Sequence, residues 1–245
     1  MLPSHRYYYL HNFQRALAWI AERHGDLLDK PERAFLTRFA QLPPLSRALM
    51  VRLLMRRGPW FLAHKLAYEE IPDIAHAAAP LLALGWLDAG HPLALHELFA
   101  LHTKPELLQL FAGAPVHAGQ RKAQMLQALQ PLHEAPRSYA AWNPQAPEAA
   151  WRVMVGELCE RLRLMFFGNL YQDWSEFVLA DLGVFRYETV AFDAASRAFR
   201  SRADVDGYLA LHACRRALDE GGEIDDLLQS VARCASANPW LEQRR

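Results

Sequence analysis

Proline and glycine spacing constrains this chain more than any other feature of its sequence. Its 245 residues include 15 prolines but only 12 glycines, and the stretches between the prolines are rich in alanine and leucine. Proline is tolerated in the first turn of a helix and breaks a helix interior, so these prolines predict where helices start and stop. Because 52% of the residues are hydrophobic, a wholly disordered chain is excluded. The sequence therefore predicts a mainly α fold with small strand elements.

The first half is predicted to hold two small domains. Residues 1–90 show the helices and short extended pieces of a winged-helix-like domain. Its helices are predicted at 7–24, from Pro31 to Gln41, from Ser46 through Arg57, and from Pro72 towards Ala83. Extended pieces are predicted around Leu66–Glu70 and at residues 85–87. Residues 91–130 are predicted to form a second, leucine-rich helical unit.

The second half begins with a predicted boundary, because four prolines fall within residues 131–147. We interpret that segment as a Pro-rich linker. Residues 148–182 are predicted to be strongly helical, and helices at 191–201, 204–219 and 223–236 suggest stacked hairpins. The pattern at 238–242, with a capping Asn and a first-turn Pro, is typical of a helix start and suggests a chain cut short. A frayed natural terminus is the alternative.

Charge is unevenly placed along a chain whose 27 basic and 27 acidic residues balance. That balance excludes a strongly basic protein that coats nucleic acid, but the segment from Arg33 to Tyr68 has a formal charge of +7 and no acid. Its seven cations are Arg33, Arg38, Arg47, Arg52, Arg56, Arg57 and Lys65. Helical spacing predicts that Arg52 and Arg56 share a face, with Arg57 slightly further round, where they could bind DNA phosphates. The alternative is a solvated basic face whose charges pair with acids elsewhere, for example Asp219–Asp226.

The leucine-rich unit carries a second pattern that suggests DNA. A helix, a loop with Gly119-Gln120-Arg121-Lys122 and another helix resemble the SAP module, which binds the DNA backbone. Lys122 is therefore a candidate DNA-binding residue. A plain helical hairpin explains the same pattern equally well.

Catalytic patterns are absent from the sequence. Nucleophile elbows, P-loops, GxGxxG and HExxH are missing, and the 11 histidines are scattered. A PD-(D/E)xK nuclease requires a lysine two residues after an acid. The chain has four lysines, and the residue two positions before each of them is not acidic. The pairs are Leu28 and Lys30, Ala63 and Lys65, His102 and Lys104, and Gln120 and Lys122. We expect no nuclease centre, no metal and no small-molecule substrate in this chain.

The three cysteines are odd in number and show no spacing typical of a disulfide framework. The sequence also shows no targeting or membrane-spanning segment. These features predict a reduced, cytoplasmic protein.

Longer stretches resemble a known family. Three segments are similar to the N-terminal pattern of the bacterial branch of the Fanconi-associated nuclease, namely Tyr7–Leu10, Arg47–Arg57 and Lys65–Ile71. Met165–Asn169 and Asp173–Gly183 are similar to the segment that follows the SAP module in that family. The resemblance covers most of the chain.

The resemblance implies a structure-specific nuclease that cuts near 5′ flaps in interstrand-crosslink repair. It implies an N-terminal helical domain, a SAP-type domain, tetratricopeptide-like hairpins over 148–245 and a C-terminal VRR-NUC domain that uses Mg²⁺ or Mn²⁺. In the family, the matching basic helix and tyrosine segment contact branched or 5′-flap DNA. The implied DNA-binding residues are Arg52, Arg56, Arg57, Lys65 and Tyr68, with Tyr8 a weaker match.

The catalytic domain is missing from this sequence, so we expect the chain to bind DNA without cutting it. A protein-interaction scaffold, with helical hairpins and solvated arginines, is the competing hypothesis. A winged-helix transcription regulator ranks last, because the apolar helix 46–57 has few side chains that could read bases.

Overall fold

A computed structural model describes residues 6–176, 197–234 and 236–245, and shows a mainly helical protein with one small sheet. In chain order its helices are α1 (Tyr8–His24), α2 (Lys30–Gln41), α3 (Pro44–Leu54), α4 (Ile74–Ala83), α5 (Leu95–Leu101), α6 (Lys104–Leu110), α7 (Lys122–Leu129), α8 (Tyr139–Trp142), α9 (Gly156–Phe167), α10 (Arg202–Asp219), α11 (Ile224–Arg233) and α12 (Pro239–Glu242). The strands are β1 (Trp60–Leu62), β2 (Leu87–Asp88) and β3 (Ala150–Val153), and 3-10 turns cover Ala63–Lys65 and Gln130–Leu132. Among the described residues, no helix is long and apolar enough to cross a membrane.

The chain divides into two compact units. The first unit joins residues 1–41 to residues 157–245, and the second comprises residues 42–156. These divisions fall after residues 41 and 156, whereas the sequence suggested boundaries after 90, 130 and 147. The predicted boundaries came from local changes in composition. Such changes do not show which distant segments of the chain contact each other.

An aromatic core holds the first unit together. Phe13 on α1 is fully buried, and its ring lies 5.3 Å from that of Phe39 and 4.9 Å from that of Trp174. Phe166 and Phe167 at the end of α9 also contact Trp174. Helical spacing of three and four residues predicts that Phe166, Phe167, Leu170, Trp174 and Phe177 face one core. The structure confirms this for Phe166, Phe167 and Trp174, and Phe177 lies outside the described residues.

A buried carboxylate lies in the same unit. Glu32 on α2 has no solvent exposure, and its Oε1 accepts a hydrogen bond from Arg161 Nε at 2.7 Å. Arg202 Nη1 donates to the other oxygen, Oε2, also at 2.7 Å. Arg161 on α9 and Arg202 at the start of α10 therefore both neutralise a side chain of α2. This arrangement ties the N-terminal helices of the unit to its C-terminal helices.

The sheet of the second unit was only partly predictable. Its strand order is β1-β3-β2, with β3 antiparallel to both neighbours, and Trp60 pairs with Arg152 while Leu87 pairs with Val153. The prediction of helix over residues 150–153 was wrong, because β3 is the central strand. Trp151 and Val153 favour strand and are buried there. The pairing partners lie more than 60 residues away, which a local pattern does not show.

A leucine-rich core fills the rest of the second unit. Its fully buried members are Leu93, Leu98, Leu107, Met125 and Leu129. The segment 131–147, interpreted from sequence as a linker, adds Tyr139 and Trp142 to this core. The indole of Trp142 donates a hydrogen bond to the carbonyl of Leu93 at 3.0 Å. The segment is therefore packed into the second unit through Tyr139 and Trp142.

Most helix predictions are confirmed with shifted ends. α1 and α2 match their predictions closely, whereas α3 ends at Leu54 and not at Arg57. The extended piece predicted around Leu66–Glu70 is a single antiparallel bridge between Tyr68 and Ile71, and the regular strand lies earlier, at β1. In the predicted helix 191–201, residues 191–196 lie outside the described residues and 197–200 are not helical.

Candidate nucleic-acid interface

Helix α3 presents Arg52 from an otherwise buried surface. Most of its side chains are buried, which fixes the helix and leaves Arg52 partly exposed at its last turn. The Nε of Arg52 donates to Glu70 Oε1 at 2.7 Å, and its guanidinium lies 5.3 Å from the centre of the Tyr68 ring. Arg52 is thus held in one position by a carboxylate and an aromatic ring.

Arg56 and Arg57 lie beyond the end of the helix, so the predicted shared helix face was wrong. The helix ends at Leu54, and the chain turns through Met55 to Gly58, which adopts a positive φ of 86° at the end of the turn. Arg56 and Arg57 are exposed in this turn. The guanidinium of Arg56 lies 5.9 Å from the ring centre of the buried Phe61, which anchors it.

Tyr68 brings the separated arginines to one surface. The Nη1 of Arg56 donates a hydrogen bond to the Tyr68 hydroxyl at 3.3 Å, while Arg52 lies over the ring of the same residue. The hydroxyl oxygen therefore accepts from Arg56 and keeps its own hydrogen available to donate. We call Arg52, Arg56 and Tyr68, together with the exposed Arg57 that follows Arg56 in the chain, the arginine–tyrosine cluster. Its donors suit the oxygen atoms of a phosphate.

Lys65 is engaged elsewhere in the second unit. Its Nζ lies 2.6 Å from Glu106 Oε1 and donates to the carbonyl of Leu101 at 3.3 Å. The hydrogen bond from Lys65 lowers the pKa of Glu106 to about 2, so this carboxylate remains charged. Lys65 therefore ties the segment after β1 to helices α5 and α6, and its charge is largely offset.

Lys122 also contacts the protein itself. Its Nζ donates to the carbonyl of His102 at 2.7 Å, and burial lowers the pKa of its ammonium. The imidazole of His102 is buried against Tyr139, with the rings stacked 5.8 Å apart, and burial lowers its pKa. Lys122 thus fastens α7 to the end of α5.

The other two predicted residues, Arg47 and Tyr8, are half-buried. Arg47 is half-buried in the first turn of α3, and its Nε is enclosed without a hydrogen-bond partner among the described residues. Tyr8 is half-buried at the start of α1 in the first unit, where its ring meets the edge of Tyr9 at 5.7 Å.

Acidic residues near the site were missed from the sequence. The +7 segment ends at Tyr68, and Glu69-Glu70 follow at once. Glu70 pairs with Arg52 and Glu106 with Lys65, so two of the seven cations are offset in space. The position of Glu70 directly after the basic segment was the sequence signal that could have predicted its pairing with Arg52. Glu106, 41 residues from Lys65, gave none.

A metal centre is not found in the part of the chain that the structure describes. No group of three or more His, Cys, Asp or Glu side chains there could hold a metal ion. The buried Cys159 is not a nucleophile, because burial raises the pKa of its thiol well above the usual range.

Comparison with known proteins finds two family models that match segments of this chain. Residues 7–88 match the model of the HTH domain of FAN1, and residues 92–142 match that of the Fanconi anemia-associated nuclease SAP domain. A Fanconi-associated nuclease 1 homolog from Pseudomonas aeruginosa is 54% identical over 98% of this chain. The chain belongs to the Fanconi-associated nuclease family.

Other members of the Fanconi-associated nuclease family extend the relationship. The human Fanconi-associated nuclease 1 is 32% identical over 57% of this chain. A crystal structure of paFAN1 bound to 5′-flap DNA with a 2-nt flap and a gap superposes with a TM-score of 0.93 at 53% identity, covering all of this chain and 45% of that one. A second, with a 1-nt flap, gives 0.90. The chain spans 43% of the length of the Pseudomonas protein and 14% of the human one.

Proposed function

We propose that this chain is the DNA-binding portion of a structure-specific 5′-flap nuclease of interstrand-crosslink repair, and that it positions branched DNA. The observation that carries the proposal is the arginine–tyrosine cluster, in which one tyrosine gathers arginines from a helix end and from the turn after it. The similarity to paFAN1, whose structures contain 5′-flap DNA, supports flap DNA as the ligand.

Phosphate contact fits this surface better than base reading. Helix α4, which packs on α3 in the HTH-type domain, has the sequence IAHAAAPLLA, and His76 is its sole polar side chain. Specific base contacts come mainly from Arg, Lys, Asn and Gln side chains in the groove. The HTH-type domain therefore supplies donors for the backbone and few for base edges. Such contacts orient a protein on DNA without selecting sequence.

Replacing Arg52, Arg56 and Arg57 together by alanine should weaken binding to a 5′-flap substrate by roughly tenfold or more. Hydrogen bonds to charged groups contribute about 1.5–3 kcal/mol each, and 1.4 kcal/mol is a tenfold change. Fluorescence anisotropy on flaps of several sequences measures the loss, which should be similar for all of them. Arg216→Ala, in the first unit and 68% exposed, is the matched control and should bind as the parent chain does. Equal affinity of parent and triple variant would favour the scaffold hypothesis.

The scaffold hypothesis has one observation in its favour. Leu218, Ile224 and Leu228 on the α10–α11 hairpin are each more than half exposed. We propose that this hairpin begins a tetratricopeptide-like region, a class of fold that often binds other polypeptides. The two functions are compatible, and the triple variant separates them because it leaves the hairpin intact.

Cleavage by this chain alone is not expected. The Mg²⁺ or Mn²⁺ chemistry that the family implies needs carboxylates around a metal, and the described residues do not provide them. We propose that a C-terminal VRR-NUC domain outside this sequence supplies that chemistry. A labelled 5′ flap incubated with purified chain and Mn²⁺ should remain intact on a denaturing gel. Cleavage that co-purifies with the chain would show that a catalytic site was overlooked.

A further inference from the structure

We infer that Glu70 is a specificity-determining residue that offsets the charge of Arg52 and so limits non-specific DNA binding by the arginine–tyrosine cluster. This inference rests on the proposed function. Glu70 comes directly after the acid-free segment, and its side chain is only 6% exposed. Two nitrogens of Arg52, Nε and Nη2, both contact its Oε1.

The pairing makes Arg52 differ from its neighbours. A guanidinium with a carboxylate against two of its nitrogens adds little net charge to the surface, so it displaces few counterions from a phosphate. Arg56 and Arg57 are exposed, and the contacts recorded for Arg56 are a tyrosine hydroxyl and an aromatic ring, neither of which offsets its charge. The charge-dependent part of binding therefore comes from Arg56 and Arg57.

Arg52 then acts as a positioning residue. Glu70 holds its guanidinium 5.3 Å from the Tyr68 ring centre, and the hydroxyl of that ring accepts from Arg56. The chain of contacts runs from Glu70 through Arg52 and Tyr68 to Arg56. When fewer cations carry uncompensated charge, DNA binding depends more on the positions of the donors than on the electrostatic attraction of the surface. DNA whose phosphates match those positions is then bound in preference to an arbitrary duplex.

The charge of Glu70 can be removed with little change of shape. Glu70→Gln keeps the size and an acceptor oxygen for Arg52, while it removes one negative charge from the surface. The slope of log affinity against log salt on duplex DNA should become steeper by about 0.9, the value for one phosphate contact. Affinity should then fall roughly threefold more than in the parent chain between 50 and 200 mM salt, and the preference for flap over blunt duplex should shrink.

Three comparisons make the test selective. Glu70→Asp keeps the charge and should retain the parent slope. Glu134→Gln removes an exposed acid elsewhere in the same unit and controls for net charge. Arg56→Ala and Arg57→Ala should each lower the slope by about 0.9.

Anisotropy over a salt series on matched flap and blunt duplexes gives the result, with thermal melting to confirm that each variant is folded. A steeper slope in Glu70→Gln alone supports the inference. An unchanged or shallower slope in folded Glu70→Gln overturns it, as does an equal increase in Glu134→Gln. Unchanged slopes in Arg56→Ala and Arg57→Ala overturn the proposed function itself, so the two failures are distinguishable.

Discussion

Glu32→Ala is expected to lower the free energy of unfolding by about 3–5 kcal/mol. The substitution leaves Arg161 and Arg202 partly buried without the carboxylate that now lies 2.7 Å from each. Removing one partner of a buried ion pair has this effect because the remaining charge stays shielded from water. Arg161 loses the carboxylate that it pairs with, whereas Arg202 keeps Asp206 at 3.0 Å and Asp29 at 3.4 Å. Chemical denaturation followed by circular dichroism measures the change.

The exposed Glu22, on the neighbouring helix α1, provides the control for Glu32. Glu22→Ala should change the stability by no more than about 0.5 kcal/mol, as is usual for surface substitutions. A loss below about 1 kcal/mol for Glu32→Ala would contradict the described burial of this carboxylate between two arginines.

Trp174→Ala is expected to destabilise the first unit by about 3–5 kcal/mol. The indole is 3% exposed and packs edge-on against Phe13, with Phe166 and Phe167 beside it. Truncation removes a large apolar surface and leaves a cavity among aromatic rings that relax only partly. Denaturant unfolding monitored at the remaining aromatic residues reports the loss.

Tyr171→Ala is the matched control for Trp174, since Tyr171 is three residues away and 71% exposed. It should change the stability much less, because its truncation leaves no cavity. Equal effects of the two substitutions would show that Trp174 does not fill the core of the unit.

Local patterns predicted the helices of this protein well. The amphipathic spacing in α1 and the first-turn prolines of α2, α3 and α6 depend on neighbours within one or two turns, and such signals are present in the sequence. Their limits appear at α3, where Gly58-Pro59 predicts the close of a helix that runs through Arg57, although the helix ends at Leu54. Gly58 marked the end of the turn and not the end of the helix.

Long-range features were not predictable in the same way. Strand β3 lies between two strands more than 60 residues earlier, and the first unit combines the two ends of the chain. For the candidate site, the acid-free segment identified the arginines and the family resemblance added Tyr68. The pairing of Lys65 with Glu106 and of Arg52 with Glu70 required the structure, because charge along a sequence does not give charge in space.

The central claim is that the arginine–tyrosine cluster binds DNA phosphates. Its most direct test is the salt dependence of flap binding by the parent chain and by the triple variant with Arg52, Arg56 and Arg57 replaced by alanine. The slope of log affinity against log salt should fall by about two units if Arg52 is offset by Glu70, and by up to about three if it is not. A slope and an affinity that both match the parent chain would contradict the account.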